Sequence, residues 1–399
     1  MQRWFFGKAH MRLKTLFPAL AATGLILVLA SACAQPDSGP ASVEPLLENA
    51  ANASGPGELT DIRVRTLLEW LQEPWGMDFL PDGRLLLAEK PGTLKIVTPG
   101  TWSVRNVSGV PAVADEGQGG LMDVLVHPQF TSNQWVYLSY SIAAEDGFTT
   151  RVSRARLRDA ALEELEVLFT AAPVFAERRH FGSRLLLDQG LLYITVGDRG
   201  NRSKAQSLLT HNGKVLRLTE DGAIPADNPF VGRSDALAEI YSYGHRNPQG
   251  IARRPGTREI WVAEHGPQGG DEINILKAGA NYGWPVITYG EEYGGGAIGE
   301  GTHKAGMEQP LIYYVPSIGT GGIAFYNVDT YPGWGPSLLV SGLRLARINR
   351  LELDEHGQPG KETRLLGNLG MRVRDVQVGP DGMVYALADR ARLIRLEPR

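Results

Sequence analysis

The sequence predicts an all-β protein, a six-bladed β-propeller, on three observations. A turn-then-strand unit recurs six times along the chain. Helical periodicity is almost absent. The 48 glycines and 25 prolines supply many turns without forming a low-complexity tract. Strands bounded by such turns read as antiparallel sheet. A sheet unit repeated at this length buries its faces against its neighbours, as propeller blades do. A pair of packed sheets is the alternative, and it leaves six similar units unexplained.

The elements follow in chain order. Arg12 and Lys14 precede an apolar run from Leu16 to Ala30 that ends in small residues, which is the order of a secretory signal. The run is short of the roughly 20 residues of a membrane span. Met11 is an alternative start to Met1. The single cysteine closes Leu29-Ala30-Ser31-Ala32-Cys33, which looks like a bacterial lipobox with its aliphatic residue one position early. Residues 1–33 are therefore expected to be a signal peptide. Either Cys33 is lipidated and tethers the product to a membrane, or the chain is cut after Ala32 or Ala34. Both readings give an exported, periplasmic protein, and the first anchors it to the outer membrane by lipid. A single cysteine leaves no disulfide within the chain. Residues 34–57 are rich in Ala, Ser, Pro, Glu and Gly without periodicity and read as a flexible linker.

The propeller is expected over residues 58–399. Its six units are Pro81-Asp82-Gly83 before strand 85–89, His127-Pro128 before 135–140, Asp188-Gln189-Gly190 before 191–196, Pro255-Gly256 before 259–264, Trp334-Gly335-Pro336 before 338–340, and Pro380-Asp381-Gly382 before 383–387. They fall at uneven intervals of about 45 to 80 residues. The long gaps 197–238 and 266–316 read as loops over one end of the ring, where function is expected. Segment 159–168 reads as a short turn of helix or a polar loop.

The net charge is -4, and no block of Lys and Arg stands out, which argues against a nucleic-acid partner. Six polar segments are candidates for chemistry. Glu116-Gly117-Gln118-Gly119-Gly120 lets backbone approach a flat ligand, or is a plain turn. His180-Phe181-Gly182-Ser183-Arg184 offers a histidine, the usual general base near neutral pH, or a hydrogen-bonded structural one. Gly244-His245-Arg246-Asn247-Pro248 packs polar groups that face a ligand or each other. Glu264-His265-Gly266-Pro267 with Asp271, Glu272, and Asn281-Tyr282 downstream, suits Ca²⁺, which takes oxygens from side chains and carbonyls. A transition metal is disfavoured, because no second His or Cys stands at ligand spacing. Arg344 is a further candidate. Arg372 and Arg374 lie two apart, on one face if the segment is a strand. Like charges so placed repel unless an anion sits between them; a solvated strand edge is the alternative.

Taken together and in this order, from about Glu69 to Leu396, these segments resemble the soluble PQQ-dependent sugar dehydrogenases. These form the glucose/sorbosone dehydrogenase family, and within it the segments resemble the aldose sugar dehydrogenases of bacterial periplasms. The resemblance implies six four-stranded antiparallel blades and PQQ (pyrroloquinoline quinone, a tricarboxylate) in a polar cleft at one end. It implies oxidation of an aldose at C1 to the lactone, with electrons passed to an external acceptor. It assigns His180 as catalytic base and Arg246 with Asn247 to the quinone. Gln118, Arg344, Arg372 and Arg374 become cofactor contacts. The carbonyls of Gly266 and Pro267 become ligands of a catalytic Ca²⁺, and Glu272 and Tyr282 ligands of a second, structural Ca²⁺.

Two departures stand out. Some glucose-oxidising members carry Asp immediately before the catalytic histidine, where this chain has Arg179. Its loops are also shorter than those of glucose-specialised relatives, which implies a broad aldose range including disaccharides. A non-redox calcium-binding propeller, either a lactonase-type hydrolase or a carbohydrate- or protein-binding module, is the alternative, and a scaffold with a degenerate pocket is a third reading.

Overall fold

The computed structural model describes residues 62–399 apart from 368–369 and 389–390. The expected signal peptide, Cys33 and the 34–57 linker lie outside the described residues. Among the described residues no helix is long and apolar enough to cross a membrane.

Six four-stranded antiparallel sheets form the blades of a β-propeller. The innermost strands are Pro74–Phe79, Leu121–Val126, Leu185–Asp188, Pro248–Arg253, Thr320–Tyr326 and Val373–Val378, in blades one to six. The ring closes by pairing the two ends of the domain. Strand Ile62–Leu68 adds to Arg392–Pro398 as the outer strand of blade six, with Val64 opposite Leu396. The last blade is thus made from both ends of the described chain.

Each of the six turn signals leads into the second strand of a blade. These strands are Leu85–Glu89, Trp135–Ala144, Leu191–Val196, Ile260–Glu264, Ser337–Gly342 and Val384–Ala388. Second strands are covered on both faces by neighbouring blades, which is why they read as continuous apolar runs. Six buried clusters result, one per blade interface. Leu86, Leu94 and Val124 fill the first, and Leu192, Leu216 and Tyr137 the second. Met77 and Leu387 fill the closing one.

Two expectations are corrected. Segment 159–168 is neither helix nor loop, because Ala161–Thr170 is the outer strand of blade two. Its glutamates meet arginines of the neighbouring strand Gly147–Arg158, with Arg154 on Glu166 at 2.8 Å and Arg156 on Glu164 at 2.7 Å. A largely solvated edge strand loses its apolar alternation, so its sequence is charged rather than periodic. The long gaps also hold more than loops. The first contains the third strand of blade three, Lys214–Thr219, and the second contains Asp271–Ile275 and Ile312–Tyr314. Buried Lys214, Arg217, Asp271 and Asn274 interrupt these strands and hide them.

One guanidinium organises the propeller axis. Arg184 is 5% exposed. Its Nη1 donates to Asp123 and Asp375 at 3.2 Å each, its Nη2 to the Trp75 carbonyl at 3.0 Å, and its Nε to the Gln249 carbonyl at 2.9 Å. Blade three is thereby tied to blades one, two, four and six. Space for this plug is supplied by glycine. A Cβ on Gly322 would stand 1.7 Å from Asp375 Oδ1. Burial pushes Asp123 up to about 6 against the opposing charge of Arg184, and it raises Asp375 as well. The native state therefore binds protons more tightly than the unfolded chain, and this part of the stability is lost as pH rises. Arg184→Met leaves two buried carboxyls without their cation. We expect it to cost about 3–5 kcal/mol in chemical denaturation at pH 8, with a smaller loss below pH 6, where the carboxyls protonate. An equal loss at both pH values would refute the assignment.

Candidate active site at the blade entrances

Every site residue expected from the sequence sits near an inner-strand entrance, near the turn joining second and third strands, or in a connection that folds back to that end. In an antiparallel blade the first two kinds of segment lie at the same end of the ring. Gln118, His180, Arg246 with Asn247, and Arg374 flank entrances of blades two, three, four and six. Gly266 and Pro267 belong to the turn between the second and third strands of blade four, Glu272 to the start of that third strand, and Arg344 follows the second strand of blade five. Register breaks mark five of the six inner-strand entrances, at 74/76, 121/123, 248/250, 320/323 and 373/375. A bulge re-aims the side chain it carries.

His180 is the best-defined group. Its φ of 55° is in the left-handed region, a conformation held only where surroundings over-determine it. Gln118 Oε1 accepts the His180 backbone N–H at 2.7 Å. A Cβ at Gly197 would lie 2.1 Å from the His180 carbonyl, so only glycine fits there. The imidazole Nδ1 donates to Asp198 Oδ1 at 2.7 Å, and Asp198 Oδ2 accepts the Trp284 indole N–H at 2.8 Å. With the proton on Nδ1, Nε2 keeps its lone pair and can act as a base. Burial lowers the His180 pKa below its ordinary 6.5; Asp198 opposes this and Arg246 adds to it. The ring is therefore neutral at pH 7. Burial alone would raise Asp198, but the His180 hydrogen bond and nearby positive charge outweigh it and hold the carboxyl low.

Asp198 is the functional residue that sequence reasoning missed. It takes the orienting place sought at position 179, and its backbone N–H donates to the Arg246 carbonyl at 2.8 Å. The one signal was its position in Gly197-Asp198-Arg199-Gly200, directly after a predicted strand. Trp284, two residues after the candidate Tyr282, joins this constellation only through the fold.

Arg246, Glu264, Gly266, Glu272, Tyr282 and Trp284 line one concavity. Arg246 is 7% exposed, its Nη1 donates to the His265 carbonyl at 3.2 Å, and its buried Nε has no hydrogen-bond partner. An anionic or carbonyl oxygen would satisfy that donor. His265 Nε2 donates to the Thr320 carbonyl at 2.5 Å, so its proton sits on Nε2. Burial first, then the charges of Arg246 and Arg374, push His265 down to about 3. Positive charge from blades four and six thus converges on this end of the ring.

Glu264 and Glu272 stand directly opposite each other on adjacent strands. Glu264 accepts from His245 Nδ1 at 2.8 Å and from the Arg246 backbone N–H at 2.7 Å. The two carboxylates share Asn274 Nδ2, at 3.2 and 3.1 Å. Burial, with Glu264 alongside, raises Glu272 to about 8. Glu264 is buried and Glu272 half-buried; carboxylates opposed in such surroundings repel unless a proton or a cation intervenes, so this pair suits a hard cation with oxygen ligands. Among the described residues no three His, Cys, Asp or Glu side chains form a ligand cluster, so carbonyls must complete any such site. Asp271 accepts the backbone N–H of Gly266 at 2.9 Å and of Gly319 at 2.6 Å, which fixes the turn bearing Gly266 and Pro267.

The remaining expectations are met unevenly. Asn247 Oδ1 accepts the Gly182 N–H at 3.2 Å, so Asn247 braces the His180 turn. Arg374 is half-buried, with its guanidinium 3.9 Å from the centre of the Trp75 ring. Arg372 is exposed and precedes the strand, and the register break falls between Val373 and Asp375. The regular pleat assumed for this pair is therefore absent. Arg344 is exposed, and its backbone N–H donates to the Ile318 carbonyl at 2.8 Å.

A six-bladed propeller with an imidazole and cations at one mouth agrees with what the resemblance to the Glucose / Sorbosone dehydrogenase family implied. The chain belongs to that family, which it matches over residues 71–395. It is 41% identical over 352 residues to the aldose sugar dehydrogenase YliI of Escherichia coli (strain K12), across 85% of this chain and 93% of that protein. The crystal structure of the soluble aldose sugar dehydrogenase from Escherichia coli in the apo-form is similar with a TM-score of 0.82 at 39% identity, covering 85% of this chain and 100% of that one. The PQQ-bound form of the aldose sugar dehydrogenase from Streptomyces coelicolor is similar with a TM-score of 0.70 at 27% identity, covering 85% and 98%.

Asp198 favours the protonated form of His180, so Asp198→Asn should move the His180 midpoint further down. NMR titration of the ring protons measures this directly. An unchanged or raised midpoint would separate the two groups.

Proposed function

We propose that the protein is an exported, PQQ-dependent aldose dehydrogenase that oxidises C1 of its sugar to the lactone, with calcium in its site. The observation that carries this reading is the neutral imidazole of His180, held by Asp198 within the electrostatic reach of Arg246. Family membership and the relatives' names support the substrate class, and the PQQ-bound neighbour supports the cofactor. The orphaned Nε of Arg246 and the cationic surroundings of His265 fit a tricarboxylate.

In this reading Arg246, Asn247, Gln118, Arg344, Arg372 and Arg374 hold the cofactor, the arginines by pairing with carboxylates. The bound quinone supplies the two-electron acceptor for the hydride leaving C1. His180 Nε2 takes the proton of the anomeric hydroxyl, a contribution of about 10² to 10⁴ in rate. Asp198 then faces an imidazolium and stabilises it. Arg246 sets positive charge where negative charge develops, usually the larger contribution. Carbonyls of Gly266 and Pro267 would hold the catalytic Ca²⁺, and Glu272 with Tyr282 a structural one. The cation would take over the role of the proton that Glu272 otherwise retains. The shorter loops that the family resemblance implies would leave the sugar side open, which favours a broad aldose range and an external electron acceptor.

Reconstitution tests the whole reading. Apoprotein given PQQ and CaCl₂ should bleach dichlorophenolindophenol in the presence of aldoses. His180→Ala should bind PQQ and lose turnover. EDTA should lower the Tm of the holoprotein, since a metal bound only to the folded state stabilises it. PQQ binding without bleaching by any aldose would favour a binding module.

Export with a lipid tether through Cys33 is part of the same proposal. Cys33→Ser should move the protein from the membrane to the soluble fraction of the producing cell. An unchanged distribution would refute the tether.

A further inference from the structure

The loop between the second and third strands of blade three carries Asp198 at one end and Lys214 just past the other. Lys214 is fully buried. Its Nζ donates to three backbone carbonyls, Lys204 and Ala205 at 2.9 Å each and Asn212 at 2.7 Å. Among the described residues no carboxylate lies within ion-pair distance of it. A cation held only by carbonyl oxygens is the arrangement of a hard metal ion, made here by a side chain. Two of the carbonyls come from the short 3₁₀ turn Arg202–Gln206, and each also accepts a backbone N–H, Lys204 from Ser207 at 3.1 Å and Ala205 from Gly244 at 3.0 Å. Three acceptors match the three N–H donors of an ammonium, and a neutral amine has only two. Burial pulls the group down to about 7, and the cage acts against that pull.

The turn so held leads directly to the catalytic pair. Gln206 Nε2 donates to the Trp284 carbonyl at 2.7 Å, and Gln206 exchanges a second pair of hydrogen bonds with Asn281 at 2.7 and 3.0 Å. Ala205, Trp284 and Ile298 form a small buried cluster. The Trp284 indole then donates to Asp198, which orients His180.

We infer that Lys214 is a built-in structural cation, whose caged ammonium fixes the turn that positions Trp284 and, through it, the Asp198–His180 pair. It is a positioning residue, and its kinetic consequence rests on the reaction proposed above.

The test uses the full chain. Lys214→Ala opens a hole that matches a small alkylammonium. n-Propylammonium should raise the Tm of Lys214→Ala apoprotein, neutral n-propanol of the same size should not, and neither should move the Tm of the wild type. In the holoprotein, Lys214→Ala should lose about 10²-fold in kcat with a much smaller change in KM for the aldose, and n-propylammonium should restore part of that kcat. Equal stabilisation by the alcohol overturns the inference, as does a Lys214→Met variant with wild-type Tm and kcat. If Lys214→Ala does not fold alone, refolding yield decides. Recovery with the ammonium and not the alcohol supports the cage, and recovery with neither overturns it. A wild type that binds PQQ and oxidises no aldose would sink the proposed reaction. The stability measurements would still decide the cation.

Discussion

The structure depends on the contact of Arg184 with five of the six blades at the axis, counting its own. A propeller has no central helix or sheet, so the inner strands of blades that are not neighbours meet only through what fills the channel. Here that filling is one guanidinium, two carboxylates and the glycines that make room for them. An ion triad buried in this way is weak evidence for stability in itself, because desolvation offsets most of its attraction. Its value is geometric. The planar fork of Arg184 fixes the relative heights of Trp75, Asp123, Gln249 and Asp375, and so sets where each inner strand begins.

That setting reaches the site through the bulges. The carbonyls that Arg184 binds belong to Trp75 and Gln249, the residues passed over by the register breaks of blades one and four. Arg374 occupies the same place in blade six, and its guanidinium lies over Trp75. The floor of the mouth and the plug of the channel are therefore one network. A residue deep in the axis governs the orientation of side chains that face a ligand, with no direct contact to it.

Much of this was legible in the sequence, for reasons that differ by element. The six second strands were readable because both their faces are buried and each follows a tight turn; the apolar run and the turn are local signals. Strand Ala161–Thr170 was not readable, since its identity comes from arginines on the neighbouring strand. Strand Lys214–Thr219 was obscured by its own buried cations. Strand Ile62–Leu68 closes the ring through a partner more than three hundred residues away, and nothing local announces that pairing. His180 and Arg246 stood out as polar groups among glycines. Asp198 did not, because its role arises from the fold, which brings the residue after one strand against the turn before the previous one. The search for an acid next to His180 in sequence found Arg179, while the acid came from across the blade.

Charge is handled in opposite ways in neighbouring parts of blades three and four. At Lys214 a carbonyl cage has its cation supplied by the chain itself. At Glu264 and Glu272 a buried and a half-buried carboxylate face one another and share only Asn274, and Glu272, raised to about 8, keeps at neutral pH a proton that an ordinary glutamate has already released. The first arrangement is complete at every metal concentration; the second is complete only when a proton or a cation arrives. The Trp284–Asp198–His180 alignment is anchored on the first of these, and the concavity wall beside Arg246 on the second. A cation bound beside Glu272 would therefore act on the concavity wall, whereas the orientation of the imidazole is fixed by the covalent chain.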